Sequence, residues 1–95
     1  MSIVDLDPVI HSRIRLALMT TLASLESADF NYLKKLTGAT DGNLSTHLSR
    51  LEAAGHIKLK KGYRGKRPLT TCYMTPAGRT AFERYLDQLK QNLSL

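Results

Sequence analysis

Two short segments hold most of the side chains able to do chemistry on a partner. Lys58, Lys60, Lys61, Arg64, Lys66 and Arg67 fall within ten residues that contain no acid. Shortly before them, Asp41, Gly42, Asn43, Ser45, Thr46, His47, Ser49 and Arg50 are interleaved with Leu44 and Leu48. The first segment suits a polyanion, because ammonium and guanidinium groups neutralise phosphates and release their counter-ions. The second suits base edges, where Arg pairs bidentately with guanine, Asn with adenine, and Ser or Thr with bases or phosphates. Catalysis has no comparable set: no nucleophile–base–acid arrangement, phosphate-binding glycine loop or metal cluster is visible. Cys72 stands alone, and His11, His47 and His56 lack the spacing that would converge three or four ligands on a metal. No enzyme activity and no cofactor or metal site is expected.

The charge balance sharpens the polyanion reading. The 95 residues carry 14 Lys+Arg against 8 Asp+Glu, a net charge of +6. Outside the segment from Lys58 to Arg67 the remaining bases and acids cancel, so the whole excess lies there. If four to six of these side chains neutralise phosphates, log affinity should fall against log salt with a slope of roughly −4 to −5 per monomer. An anionic membrane surface is the other polyanion to consider, but Tyr63 is the sole apolar anchor near the tip. The length fits one domain spanning 1–95, with no room for a second module. Charges interrupt every apolar stretch well before the roughly 20 residues that span a bilayer. Met1 to Ile10 lacks the basic start and apolar run of a signal peptide. With a single cysteine, a reducing cytoplasmic setting is expected.

Periodicity supplies the elements that must position these groups. Asp7-Pro8 reads as a cap followed by proline at the first helical position, opening a helix over 7–25. Ile10, Ile14, Ala17, Leu18, Leu22 and Leu25 recur along it at helical spacing, with Leu16, Met19 and Ala23 on a neighbouring face. Asp29 can cap a short helix over 29–37 that Gly38 ends, and a further helix over 41–54 stops at Gly55. Two short helices joined by about three residues with a glycine make a helix-turn-helix. Alternation then begins at Ile57 and resumes over Leu69 to Met74, predicting a β-hairpin over 56–74 with a basic, glycine-bearing tip. Thr75-Pro76 opens a last helix over 76–93. The fold class is therefore mainly α with a β-hairpin wing, an α+β winged helix-turn-helix. With Leu44, Leu48 and Leu51 turned inward, Gly42, Thr46, Ser49 and Arg50 face outward and Asn43 and Ser45 flank them. His47 lies at the edge of the leucine face, so a packed histidine and a DNA-facing one are both open.

Several strings carry a family resemblance. They are the run from Asp41 to Leu48, Leu51-Glu52-Ala53-Ala54-Gly55-His56-Ile57, Gly65-Lys66-Arg67-Pro68 and Thr75-Pro76-Ala77-Gly78-Arg79. Together they resemble small winged-helix transcriptional regulators related to the MarR and ArsR families. The resemblance spans about residues 8 to 90. It implies a homodimeric DNA-binding regulator, with the recognition helix in the major groove and the wing on backbone or minor groove. It also implies that Ser45 and His47 lie near the DNA backbone. The paired Cys or His ligands of ArsR-type sensors are missing, and the chain is shorter than MarR-type regulators with a ligand pocket, so a small-molecule effector stays undefined.

Phe82, Leu86, Leu89 and Leu93 follow an i, i+4, i+7, i+11 stripe that predicts a dimer contact. The resemblance implies that the first and last helices make this contact, which adds Ile10, Leu16 and Tyr85 to it. A dimer of this kind predicts a pseudo-palindromic operator with half-sites about one turn apart. Rival readings are a winged helix used for protein–protein assembly and one that binds RNA.

Overall fold

The computed structural model describes residues 6–93; residues 1–5 and 94–95 lie outside the described residues. The order is α1 (Arg13–Leu25), β1 (Ser27–Asp29), α2 (Phe30–Thr37), α3 (Asp41–Ala53), β2 (Ile57–Arg64), β3 (Arg67–Met74) and α4 (Pro76–Leu93). The three strands form one antiparallel sheet in the order β1-β3-β2. This is a winged-helix α+β fold.

α1 starts later than Asp7-Pro8 suggests, because Asp7 caps a different structure. Its Oδ1 accepts from the Val9 N–H at 2.9 Å, and its Oδ2 lies 3.2 Å from His56 Nε2. The segment closes a single turn, with the His11 N–H donating to Asp7 O, before Ser12 caps α1. α1 then runs through the middle of the molecule, against α2, α3, β1 and β3. Leu18, Met19 and Leu22 are fully buried, so both apolar faces of α1 are covered within the chain. Glu26, at φ 69, reverses the chain into β1.

Asp29 Oδ1 accepts from the Tyr32 N–H to start α2, and Gly38 in the left-handed region (φ 70) ends it. Thr40, rather than Asp41, caps α3. Leu33, Leu44, Leu48 and Leu51 seal the junction of these helices against α1. The hairpin is a continuous ladder from Ile57↔Met74 to Arg64↔Arg67, closed by Gly65 and Lys66 alone. Positive φ at Gly65 and not at Lys66 matches a type II′ turn, whose twist suits a hairpin.

Thr75 locks α4 onto the start of the hairpin. Its Oγ1 accepts from the Gly78 N–H and donates to Gly55 O, while its N–H donates to His56 O. Farther along, Phe82 and Tyr85 are buried, and the Tyr85 hydroxyl lies 2.8 Å from His11 Nδ1. Leu89 still packs against the core, α4 ends on the exposed Leu93, and the described residues measure 53 × 25 × 21 Å.

Cys72 is fully buried on β3, between Ala28 and Leu59 on the neighbouring strands. Burial, with Asp29 and Glu52 adding to it, pushes its thiol up to about 11. Only the thiolate is reactive. A disulfide reagent at pH 8 is therefore expected to modify Cys72 only as fast as the fold opens. Rapid stoichiometric modification of the native protein, followed by absorbance, would contradict this burial.

Candidate nucleic-acid interface

α3 turns a polar face outward because its leucines are used inside. Asp41, Gly42, Asn43, Ser45, Thr46, Ser49 and Arg50 are exposed, and His47 is partly buried. Asn43, Ser45, Ser49 and Arg50 have no side-chain hydrogen-bond partner among the described residues, so their polar groups are available. Thr46 bonds back to Gly42 O at 3.0 Å, which a groove contact can share. Asp41 differs from its neighbours. Its carboxylate sits in the first turn of α3 and pairs with Lys34 at 2.8 Å, a tie between α2 and α3. A carboxylate at a helix N-terminus is stabilised by the helix dipole, so the fold accounts for Asp41 better than base reading does.

The hairpin register divides the six basic residues. Side chains alternate across a strand. Lys61 therefore shares the face of Ile57 and Leu59, opposite Thr70, whereas Lys58, Lys60, Arg64 and Arg67 lie on the other face and Lys66 sits in the turn. Lys58 and Lys60 are at the base of that far face, opposite Tyr73 and Thr71. They thus point away from α3, on the same face as Arg64 and Arg67 but farther from the tip. Arg64 reaches back to within 3.9 Å of Asp29 while remaining largely exposed. It also stands directly opposite Arg67, an unfavourable placement for two like charges that a polyanion at the tip would relieve.

Between α3 and the hairpin runs a cleft of about 310 Å³, floored by Phe30, Leu48 and Leu59 and rimmed by Ser45, Ser49, Lys61 and Thr70. It joins the polar face of α3 to the inner face of the hairpin. Thr70 was hidden in the sequence among strand-forming residues, and only the ladder brings it opposite Lys61.

The expected dimer residues divide as well. Ile10, Phe82 and Tyr85 are in the chain's own core, at 0%, 7% and 1% exposure. Leu16 and Leu89 are partly buried against that core. Leu86 and Leu93 are exposed, at 43% and 73%. The stripe on α4 is thus mixed: Phe82 and Leu89 pack on the monomer core, while Leu86 and Leu93 are left uncovered.

The histidines are engaged separately: His11 with Tyr85, His47 with Arg15 and His56 with Asp7. Among the described residues no group of three or more His, Cys, Asp or Glu could hold a metal ion. No described helix is long and apolar enough to cross a membrane.

A helix-turn-helix whose second helix shows a free polar face, followed by a basic hairpin, defines a winged-helix domain. The chain belongs to the winged helix DNA-binding domain family, whose model matches residues 14–93. It is 37% identical over 83 residues to uncharacterized protein MJ0432 of Methanocaldococcus jannaschii, covering 87% of this chain and 90% of that protein. A transcriptional regulator homologue from Pyrococcus horikoshii OT3 matches with a TM-score of 0.81 at 31% identity, over 92% of this chain and 89% of the other. The fold is shared with a MarR-family regulator from Silicibacter pomeroyi at 20% identity (TM-score 0.67; 88% of this chain, 56% of that one). An ArsR-family regulator shares it too. By family, this is a small winged-helix transcriptional regulator.

Proposed function

We propose that this protein binds double-stranded DNA sequence-specifically as a homodimer. In this reading α3 enters the major groove and the hairpin tip grips the backbone or an adjacent minor groove. The observation that carries it is the free polar face of α3, which adjoins a basic hairpin through one cleft and has few acids of its own to satisfy. Asn43, Ser45, Thr46, Ser49 and Arg50 supply the groove-facing groups. Lys61, Arg64, Lys66 and Arg67 supply the phosphate contacts, and Lys58 and Lys60 contribute only general field. The exposed Leu86 and Leu93 of α4 supply the dimer contact, because the monomer core leaves them uncovered. A two-fold pair would read a pseudo-palindrome with half-sites about 34–36 Å apart. No catalytic role is assigned to any residue.

Arg50 is the exposed side chain best suited to bidentate base pairing. Arg50→Ala is expected to relax preference at one base pair per half-site by about 1–3 kcal/mol. Anisotropy titrations against a set of single-substitution duplexes would read this. A uniform loss across the set would make Arg50 a phosphate contact instead. Competition between DNA and RNA duplexes of matched sequence tests the partner class: DNA should win, and an RNA preference would overturn the reading. A polar α3 face also disfavours a protein–protein adaptor, whose contact face would be apolar.

A further inference from the structure

Arg15 is a charge in an unusual place. It lies in the first turn of α1, yet the residue is only 7% exposed, and no carboxylate among the described residues forms an ion pair with it. Its Nε donates to Val9 O, and its terminal nitrogen lies 2.9 Å from His47 Nδ1. A guanidinium has donors only and keeps its protons. Nδ1 must therefore be the acceptor, which leaves the ring proton of His47 on Nε2. That nitrogen has no hydrogen-bond partner among the described residues. Nor is it sealed away, since the one buried side-chain nitrogen or oxygen there without a partner is His56 Nδ1. His47 thus has one nitrogen fixed by a buried cation and an N–H donor open at the surface. It shares α3 with the exposed Ser45, Ser49 and Arg50.

We propose that Arg15 is a positioning residue for DNA binding: from α1 it fixes His47 as the Nε2–H tautomer, so that α3 presents a preset neutral donor to a backbone phosphate. This rests on the DNA-binding reading above. The phosphate then meets a donor that needs no proton uptake and no ring flip, with positive charge behind it. The neighbouring charges agree with this role. Burial first, then Arg15 from α1 and Arg50 from α3, hold the His47 ring below the ordinary histidine value. A lowered value means that the neutral form persists as pH falls toward 6, and the contact with it. Removing Arg15 frees the tautomer and lets the ring protonate more readily. A nearby phosphate then favours the charged form, so binding by such a variant should strengthen as pH falls.

Two measurements test this. Long-range nitrogen–proton correlation spectra of the free protein should show His47 as a single Nε2–H tautomer. In Arg15→Met, a side chain of similar length without donors, they should show a tautomer mixture that titrates at higher pH. Duplex binding is then compared at pH 8 and pH 6, with circular dichroism melts to verify folding. Wild type should change little between the two. Arg15→Met should lose about tenfold at pH 8 on every duplex alike and regain part of it at pH 6. His47→Gln, whose amide N–H can reach the position of Nε2–H, should keep most of the affinity that His47→Ala loses, and serves as the second probe if Arg15→Met does not fold. A wild-type Nδ1–H tautomer would overturn the proposal, as would equal losses in His47→Gln and His47→Ala. If wild type binds no duplex at all, the functional reading itself falls, whatever the spectra show.

Discussion

Replacing Lys61, Arg64, Lys66 and Arg67 together by alanine is expected to cut duplex affinity about 10³-fold per protomer near 0.15 M salt, with the fold intact. Each phosphate contact contributes about 0.9 to the slope of log affinity against log salt. Four contacts give about 3.6, which the variant should lose, and extrapolating that slope from 1 M to 0.15 M salt yields the affinity figure. The loss should be the same for cognate and unrelated duplexes, because phosphates carry no sequence. The register provides the control. Lys58 and Lys60 share the face of Arg64 and Arg67 but lie at the base of the hairpin, far from its tip, so their double alanine variant should change the slope by less than about 0.5. Folding should not confound the result, since Arg64 and Arg67 face each other across the ladder and their removal relieves repulsion. Equal slopes for the two variants, from anisotropy titrations over a salt series, would show that position on the hairpin is immaterial and that only net charge acts.

Gly78→Ala is expected to be the most damaging small substitution in the chain. Helix propensity alone predicts a gain of about 0.5–1 kcal/mol for this exchange. The packing predicts the opposite. A Cβ at Gly78 would lie 1.9 Å from His56 O, 2.7 Å from its carbonyl carbon and 2.8 Å from its Cα. All three are backbone atoms, held where Thr75 and the first turn of α4 meet the start of β2, so no side chain can swing aside. Relief requires α4 to move off the hairpin, and the neighbouring burial of Ile57 and Phe82 suffers with it. A cost of about 3 kcal/mol or more is expected, at the upper end of overpacking effects. For a domain of this size that lowers Tm by at least about 12 °C. A melt within a few degrees of wild type would mean that α4 yields easily at this contact.

The sequence was most readable where backbone chemistry and periodicity agreed. Asp29, Gly38, Gly55 and Thr75 each act locally through a cap or a positive φ, and the leucines of α3 repeat at helical spacing. It was least readable where a distant partner decides. Asp7-Pro8 resembles a helix start, but His56, far along the chain, takes one carboxylate oxygen and the other caps a single turn. β1 has only three residues, two of them poor strand formers, and exists because β3 offers it an edge. A heptad-like stripe on α4 cannot by itself distinguish leucines that close the monomer from leucines that it leaves uncovered. Of the candidate interface, the polar face of α3 was readable and the division of the basic residues was not, because that depends on which residues pair across the ladder. Arg15 gave no signal, since one arginine in a helix turn resembles any solvated charge.

The most direct test is selection of bound duplexes from a random pool by the full chain at about 0.15 M salt. The account predicts enrichment of an inverted repeat whose half-site centres lie one helical turn, about 10–10.5 base pairs, or a multiple apart. Recovery of duplexes with no shared sequence would contradict reading by α3, and recovery of a lone half-site would contradict the two-fold pairing through α4.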